Sequence, residues 1–300
     1  MQANASPTAL IFGASGQDGH YLGQLLEARG MRSIGVSRSP GPWVQGDVAN
    51  FADVEALVGE HRPDYIFHLA ANSTTRHDTL FEHHATIAGG TLNILEVVRR
   101  QRPQAKVFLS GSGVQFRNRG EPISEHDEFE GSSGYSIARI QSVYAARYYR
   151  TLGVRAYVGY LFHHESPLRK PHHVSQKIAQ AARRIASGSP EVLEIGDITV
   201  RKEWAFAGDI AAAMLTLVEQ ETVFEATLGT GIAHSIEDWL EACFRYIGRN
   251  WRDHVKTVAN FRADYPLLVS NPATIRSLGW APAVDLPKLA ELMMSGGNQT

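Results

Sequence analysis

Residues 9–12 form an apolar run that breaks into three glycines, Gly13, Gly16 and Gly19, and the chain then passes at once into the helical pattern YLGQLLEARG. A strand that ends in glycines and opens directly into a helix brings bare backbone amides and a helix N-terminus up to an anion, an approach that side chains would block. In that context the GxxGxxG spacing reads as a pyrophosphate turn for a dinucleotide. Such a turn is the first βα step of a parallel sheet, so it fixes the fold class as well as the ligand class.

The rest of the first half keeps that rhythm. The β-rich runs ALIFG, RSIGVS, YIFHLAA, KVFLSGS and RAYVGYLF alternate with helical stretches near residues 21–30, 51–61, 84–102 and 135–152. This βαβα order predicts an α/β fold, a doubly wound parallel (Rossmann) sheet covered on both faces. After Phe162 the pattern loosens into HHESPLRKPHH, a basic helix near 174–187 and shorter strands. The expectation is a dinucleotide-binding domain over 1–162 with a returning segment near 204–232, and a smaller substrate-binding lobe over 163–300. Ligands would lie between the two, outside the carboxyl ends of the strands.

Composition narrows the function classes. With 29 basic and 31 acidic side chains in 300 residues, the formal charge of −2 offers no basic surface for nucleic acid and no membrane anchor. No apolar run is long enough to span a bilayer, and the opening MQANASPT has neither a charged nor an apolar leader region, so a cytoplasmic protein is expected. The single cysteine, Cys243, excludes an internal disulfide and a cysteine metal cluster, and its setting in WLEACFRYI suggests a core thiol on a helix.

The end of the second strand bears on the cofactor. NAD sites usually place an Asp or Glu there to hold the ribose 2′-hydroxyl, but the chain reads Gly35-Val36-Ser37-Arg38-Ser39. A guanidinium between two hydroxyls suits a 2′-phosphate, so NADP is expected, with NAD as the alternative. Asp47 stands where a carboxylate would either cap the next helix or meet the adenine. Further on, Tyr135 and Arg139 lie four residues apart on one helix face, and Ser112 follows a strand. A cation beside a phenol favours the phenolate, and a serine hydroxyl can share the proton. Together they make a base for an alcohol that loses hydride to nicotinamide.

Read together, FGASGQDGHYLGQLLEARG, HLAANS, GYSIAR, LFHHESPLRK, RKEWAFAGDIAAAM and ATLGTGIAHSIEDWLE resemble extended short-chain dehydrogenase/reductases, most closely the GDP-mannose 4,6-dehydratases. The resemblance runs from Ala9 to about Pro282. GQDG followed by Tyr-Leu, LFxHESP and WxFAGD are its most specific pieces. It implies that Gly13, Gly16, Gln17, Asp18 and Gly19 line the pyrophosphate turn and that Arg38 meets the 2′-phosphate. Leu69, Ala70 and Ala71 would pass the cofactor ribose, with Tyr135 as redox base and Ser112 as its hydroxyl partner. A GDP-sugar, or another nucleotide-sugar, would meet His163, Val174, Lys202 and Arg262. Relatives of this type assemble through helices flanking the tyrosine, which implies a homodimer or homotetramer.

Three departures from the family pattern matter. The lysine expected four residues after the tyrosine is Arg139, cationic but different in reach and hydrogen-bond geometry. The glutamate that serves elimination falls on Val114, or on Gly113 if the register shifts by one, and neither exchanges a proton. The amide of the family's LFNHE is His163. If dehydration persists, a substitute acid is needed, and Glu125, Asp127, Glu128, Glu130 and Glu165 are the candidates. A keto-sugar reductase or epimerase needs only Ser112, Tyr135 and Arg139, while a catalytically weak binder of cofactor and sugar needs none. The histidine pairs at 83/84, 163/164 and 172/173 lack a metal-site pattern. Solvated loops, or phosphate contacts beside Arg169 and Lys170, account for them, and Trp204 and Trp280 are expected in the core or an interface.

Overall fold

The apolar runs of the first half become strands of one parallel sheet. In the computed structural model, which describes residues 6–258 and 265–295, these are β1 (Thr8–Phe12), β2 (Arg32–Ser37), β3 (Val44–Gln45), β4 (Tyr65–His68), β5 (Lys106–Ser112) and β6 (Arg155–Leu161). The helices between them are α1 (Gln17–Ala28), α2 (Phe51–His61), α3 (Leu80–His83), α4 (Gly90–Gln101) and α5 (Gly134–Thr151). A π-helical stretch, His84–Gly89, joins α3 to α4 into one long element. The expected helix over 84–102 therefore begins four residues earlier.

Beyond β6 come β7 (His164–Glu165), α6 (Val174–Ala186), β8 (Leu193–Ile195), β9 (Arg201–Glu203) and β10 (Ala205–Phe206). Then follow α7 (Ala207–Val218), β11 (Glu225–Leu228), β12 (Ala233–Ser235), α8 (Ile236–Tyr246), β13 (Val255–Thr257), β14 (Leu267–Leu268), α9 (Ala273–Ser277) and α10 (Leu286–Met294). The sheet order is β11-β6-β5-β4-β1-β2-β3, every neighbouring pair parallel. The expected doubly wound α/β architecture is what the chain adopts.

Side-chain alternation along the strands builds a core on each face. Leu10 and Phe12 of β1 pack with Val54 of α2, Ile94 of α4 and Val143 of α5. Ala9 and Ile11 face the other way, toward Leu22 and Leu26 of α1 and Ile210 and Met214 of α7. Each such fully buried aliphatic side chain contributes about 1.5–3 kcal/mol of transfer free energy. A third cluster, from α6, α8 and α10, surrounds Trp204 and Trp239, whose rings stack at 4.8 Å. Trp280 is buried against α7, its indole N–H donating to the Asp209 carbonyl, and buried Cys243 sits on α8.

The helix starts follow local chemistry. Asn50 caps α2 by accepting the Ala52 N–H, Ser133 caps α5 by accepting the Ser136 N–H, and Ser235 and Asp238 form a reciprocal box on α8. Asp47 is thus not the cap of α2; it accepts the Ala49 N–H and stands at the cleft described below. Helix α1 begins at Gln17, four residues before its apolar periodicity shows, because Gly16 supplies an extended N-cap with no side chain to fill the end. Gln17, Asp18 and Gly19 consequently belong to the first helical turn.

Candidate functional site

The glycines of the first turn do three different jobs. Gly13 has φ +97, and a Cβ there would lie 2.6 Å from the Ala70 amide nitrogen, so β1 and the end of β4 close on one another only if residue 13 is glycine. A Cβ on Gly19 would lie 2.5 Å from the Gly13 carbonyl oxygen, which sets the helix tightly on the turn. Gly16 leaves the α1 N-terminus uncapped. Gly13, Gly16, Gln17 and Asp18 line a cleft of about 690 Å³ at the carboxyl ends of the strands, whereas Gly19 packs behind it. A close-packed glycine turn at a strand end, leading into an uncapped helix at the cleft, fits a dinucleotide pyrophosphate.

The cleft gathers most of the other residues singled out in the sequence. Ser37, Arg38, Ser39 and Asp47 line one end, and Leu69, Ala70 and Ala71 lie at the end of β4. Ser112, Tyr135 and Arg139 line the middle, while His163, Val174 and Lys202 form the far wall. Arg262 lies outside the described residues.

Ser112 is the last residue of β5, paired in register with Leu161 of β6. Its backbone N–H donates to Oε1 of the buried Gln115 at 2.8 Å, which fixes the strand end that carries the hydroxyl. Tyr135 stands in the first turn of α5, with the edge of the buried His83 ring against it at 5.4 Å. Arg139, 5% exposed, holds its guanidinium carbon 5.1 Å from the Tyr135 ring centroid. One of its terminal nitrogens donates to both the carbonyl and the hydroxyl of Ser110. The cation thus lies over the face of the phenol and is tethered to β5 through a single guanidinium nitrogen.

None of the five candidate substitute acids lines the cleft. Val114 lines the cleft while packing against the core, and Gly113 abuts the Phe162 ring. Glu125 is buried against Thr227 and Thr274; Glu128 pairs with Arg117; Asp127 accepts the Ser124 N–H. Glu165 is fully buried beside His163, and neither it nor Glu130 lines the cleft. Burial, which would raise the Glu165 carboxyl, is outweighed by His163, Arg169 and Lys202, which hold it down at about 2. The acids that do line the cleft are Asp18, Asp47 and Glu82.

The far wall is a dense charge network. His164 directs Nδ1 to the Phe162 carbonyl at 2.7 Å and Nε2 to Asp18 Oδ1 at 2.8 Å. Both partners are acceptors, which an imidazolium satisfies. Burial alone would lower the His164 pKa, but the Asp18 charge and hydrogen bond outweigh it and the value rises. Asp18 falls correspondingly, burial being overcome by His164, with Arg169 and Arg139 adding to the effect. Gln17 adds two bonds to the same segment, donating to the His164 carbonyl and accepting from the Ser166 hydroxyl. The glycine turn and the start of α1 are in this way stapled to the β7 segment. Burial pushes the Lys202 amine down to about 8 as it lies over the Trp204 ring at 4.9 Å.

These contacts correct the expectation of solvated histidines for three of the six paired ones. His83, His163 and His164 are well shielded and hydrogen-bonded, whereas His84 and His172 are exposed and His173, its ring tilted against that of His172, is half-buried at the rim. Among the described residues no group of three or more His, Cys, Asp or Glu side chains is placed to hold a metal ion. No helix among them is long and apolar enough to cross a membrane. Sequence reasoning gave no role to Gln115, which braces Ser112, to Glu82, or to Asn72 within HLAANS; Asn72 and Glu82 line the cleft. The His164 link to Asp18 was equally hidden, although both residues lay within recognised motifs.

A family model described as GDP-mannose 4,6 dehydratase matches residues 10–293. GDP-mannose 4,6 dehydratase 1 of Arabidopsis thaliana is 29% identical over 320 residues, covering 95% of this chain and 88% of its own length. The human GDP-mannose 4,6 dehydratase is 26% identical over 269 residues, covering 80% and 72%. Among solved structures, UDP-glucose 4-epimerase of Thermotoga maritima, solved with UDP-glucose, superposes with a TM-score of 0.85 at 20% identity over 96% of this chain and 98% of its own. RMD of Pseudomonas aeruginosa, complexed with NADPH, gives 0.83 at 21% identity over 98% of both chains.

Proposed function

The chain belongs to the GDP-mannose 4,6 dehydratase family, and from that premise we propose that it binds NADP and a GDP-sugar and moves a hydride reversibly at a carbinol of the sugar. The observation that carries this reading is the convergence of Ser112, Tyr135 and Arg139 on the cleft whose glycine turn fits a dinucleotide, with apolar Val114 at the position that the resemblance gives to the elimination acid.

Nicotinamide, when bound, accepts or returns the hydride. Tyr135 takes the hydroxyl proton as the carbon–hydrogen bond breaks and gives it back in the reverse direction. Ser112 shares that proton, and Arg139, buried over the phenol face, offsets the charge that develops on it. Lys202 and Arg169, on the far wall, supply positive charge for a diphosphate, and Val174 opens the helix that flanks it. Gly13, Gly16, Gln17 and Asp18 position the cofactor's own diphosphate, Arg38 and Asp47 its adenosine end, and Leu69 to Ala71 its ribose. Arg262 is assigned to the guanosine ribose by family resemblance alone. The same reading takes the protein as a cytoplasmic homodimer or homotetramer.

Complete 4,6-dehydration is the second reading, favoured by the family match along nearly the whole chain. It requires a proton carrier that Val114 does not provide. Incubation with GDP-mannose and other nucleotide-sugars, read by mass and cofactor absorbance, separates the two. Cofactor reduction without loss of water supports hydride chemistry alone; loss of one water supports dehydration.

A further inference from the structure

The expectation of NADP rests on Arg38 between Ser37 and Ser39 with no acid at the strand end, and the fold brings a second charged group to Arg38. Glu82 of α3, forty-four residues away in the chain, sets Oε1 3.0 Å from the Arg38 guanidinium. Its other oxygen lies 3.4 Å from the Asn72 amide nitrogen. Glu82, Arg38 and Asn72 all line the cleft, at the end where Ser37 and Ser39 close β2. The carboxylate is therefore held across the lip of the adenosine end, with both oxygens engaged.

A carboxylate at this place has opposite effects on the two nicotinamide dinucleotides. It accepts hydrogen bonds from a ribose 2′-hydroxyl, which is what an acid at the end of the second strand does in NAD sites. It repels a 2′-phosphate, and it occupies the guanidinium that would bind that phosphate. We propose that Glu82 is a specificity-determining residue of the cofactor site: through Arg38 it holds down the preference for NADP and admits NAD. The proposal rests on the reading of the cleft as a dinucleotide site. Arg38 is also the reason the Glu82 carboxyl lies below its ordinary range, so the negative charge is present at neutral pH.

Titration calorimetry with NADPH and NADH tests it on wild type, Glu82→Gln and Glu82→Asp. In Glu82→Gln, NADPH binds more tightly and NADH more weakly, so the NADPH:NADH affinity ratio rises about fivefold or more. Glu82→Asp, which keeps the charge, stays nearer wild type. The fragments 2′,5′-ADP and 5′-AMP repeat the split, with the gain confined to the fragment carrying the 2′-phosphate. A ratio that stays within about twofold of wild type, or a loss shared equally by both dinucleotides, overturns the assignment of Glu82 alone. Failure of wild type to bind either dinucleotide overturns the reading of the cleft and this inference with it.

Discussion

The floor and the far wall of the cleft are built by different means. The floor, from Gly13 to Asp18, is backbone: its shape comes from one left-handed glycine, one close approach to Ala70 and one uncapped helix. The far wall is side chain: His163, His164, Glu165, Arg169 and Lys202 hold one another through charge and hydrogen bonds. Ser112 and Tyr135 stand where the two meet. A backbone site tolerates change in its surroundings but no Cβ at its contact points. A charge network tolerates volume changes and responds to pH.

The largest effect expected on this division falls on the chemistry at the junction. Tyr135→Phe removes the proton carrier and lowers turnover by about 10²–10⁴-fold, while cofactor affinity stays within about twofold. Steady-state rates beside a binding titration check this, and equal losses in both would make Tyr135 structural.

Next comes the floor. Gly13→Ala combines a left-handed φ with a clash against Ala70 and abolishes cofactor binding, whereas Gly30→Ala, at φ +74 with nothing within 4 Å of the new Cβ, meets only the conformational cost. That cost is about 1–2 kcal/mol. Thermal unfolding of the pair should show the Gly13 variant clearly less stable, and equal losses would remove the close approach from the account.

The wall should announce itself through pH. His164 has a raised folded pKa, so its contribution is fully present below the ordinary 6.5 and is lost as pH rises through the folded value. Asp18 has a lowered one, so its contribution is present above 3.8 and is lost as pH falls through the folded value. The staple is therefore strongest between those reference values. Asp18→Asn and His164→Gln should cost most stability in that window and progressively less toward alkaline pH. A pH-independent loss in thermal unfolding would mean that packing, not charge, joins the wall to the floor.

The smallest effect concerns the position between floor and wall left apolar. Val114→Glu combined with Arg139→Lys should raise the release of water from GDP-mannose from background, without altering cofactor affinity. No gain in product mass analysis would show that the absent carboxylate is not what limits elimination.

The same division governs what could be read in the sequence. The turn, the five main parallel strands and the α5 face were legible because glycine spacing and apolar periodicity are local signals, and local residues determine those structures. The start of α1 was obscured because Gln17 and Asp18 are polar residues in a helix whose periodicity begins later. Asp47 was given two roles, and the cap went to Asn50, three residues on. Among the wall residues, His164 reads from its neighbours as a loop histidine because its partner, Asp18, lies 146 positions away. Glu82 was unmarked for the same reason: nothing near it in the chain announces Arg38. Pairings of that kind arise only when the strand order is assembled.

The most direct test of the account is incubation of the protein and NADP with a panel of C4-deuterated GDP-hexoses that includes GDP-mannose, followed by mass analysis of both sugar and cofactor. Hydride chemistry alone predicts deuterium passing from C4 to the nicotinamide with no loss of water. A product lighter by one water, with the deuterium carried to C6, would contradict it, as would the absence of any exchange while both ligands still bind.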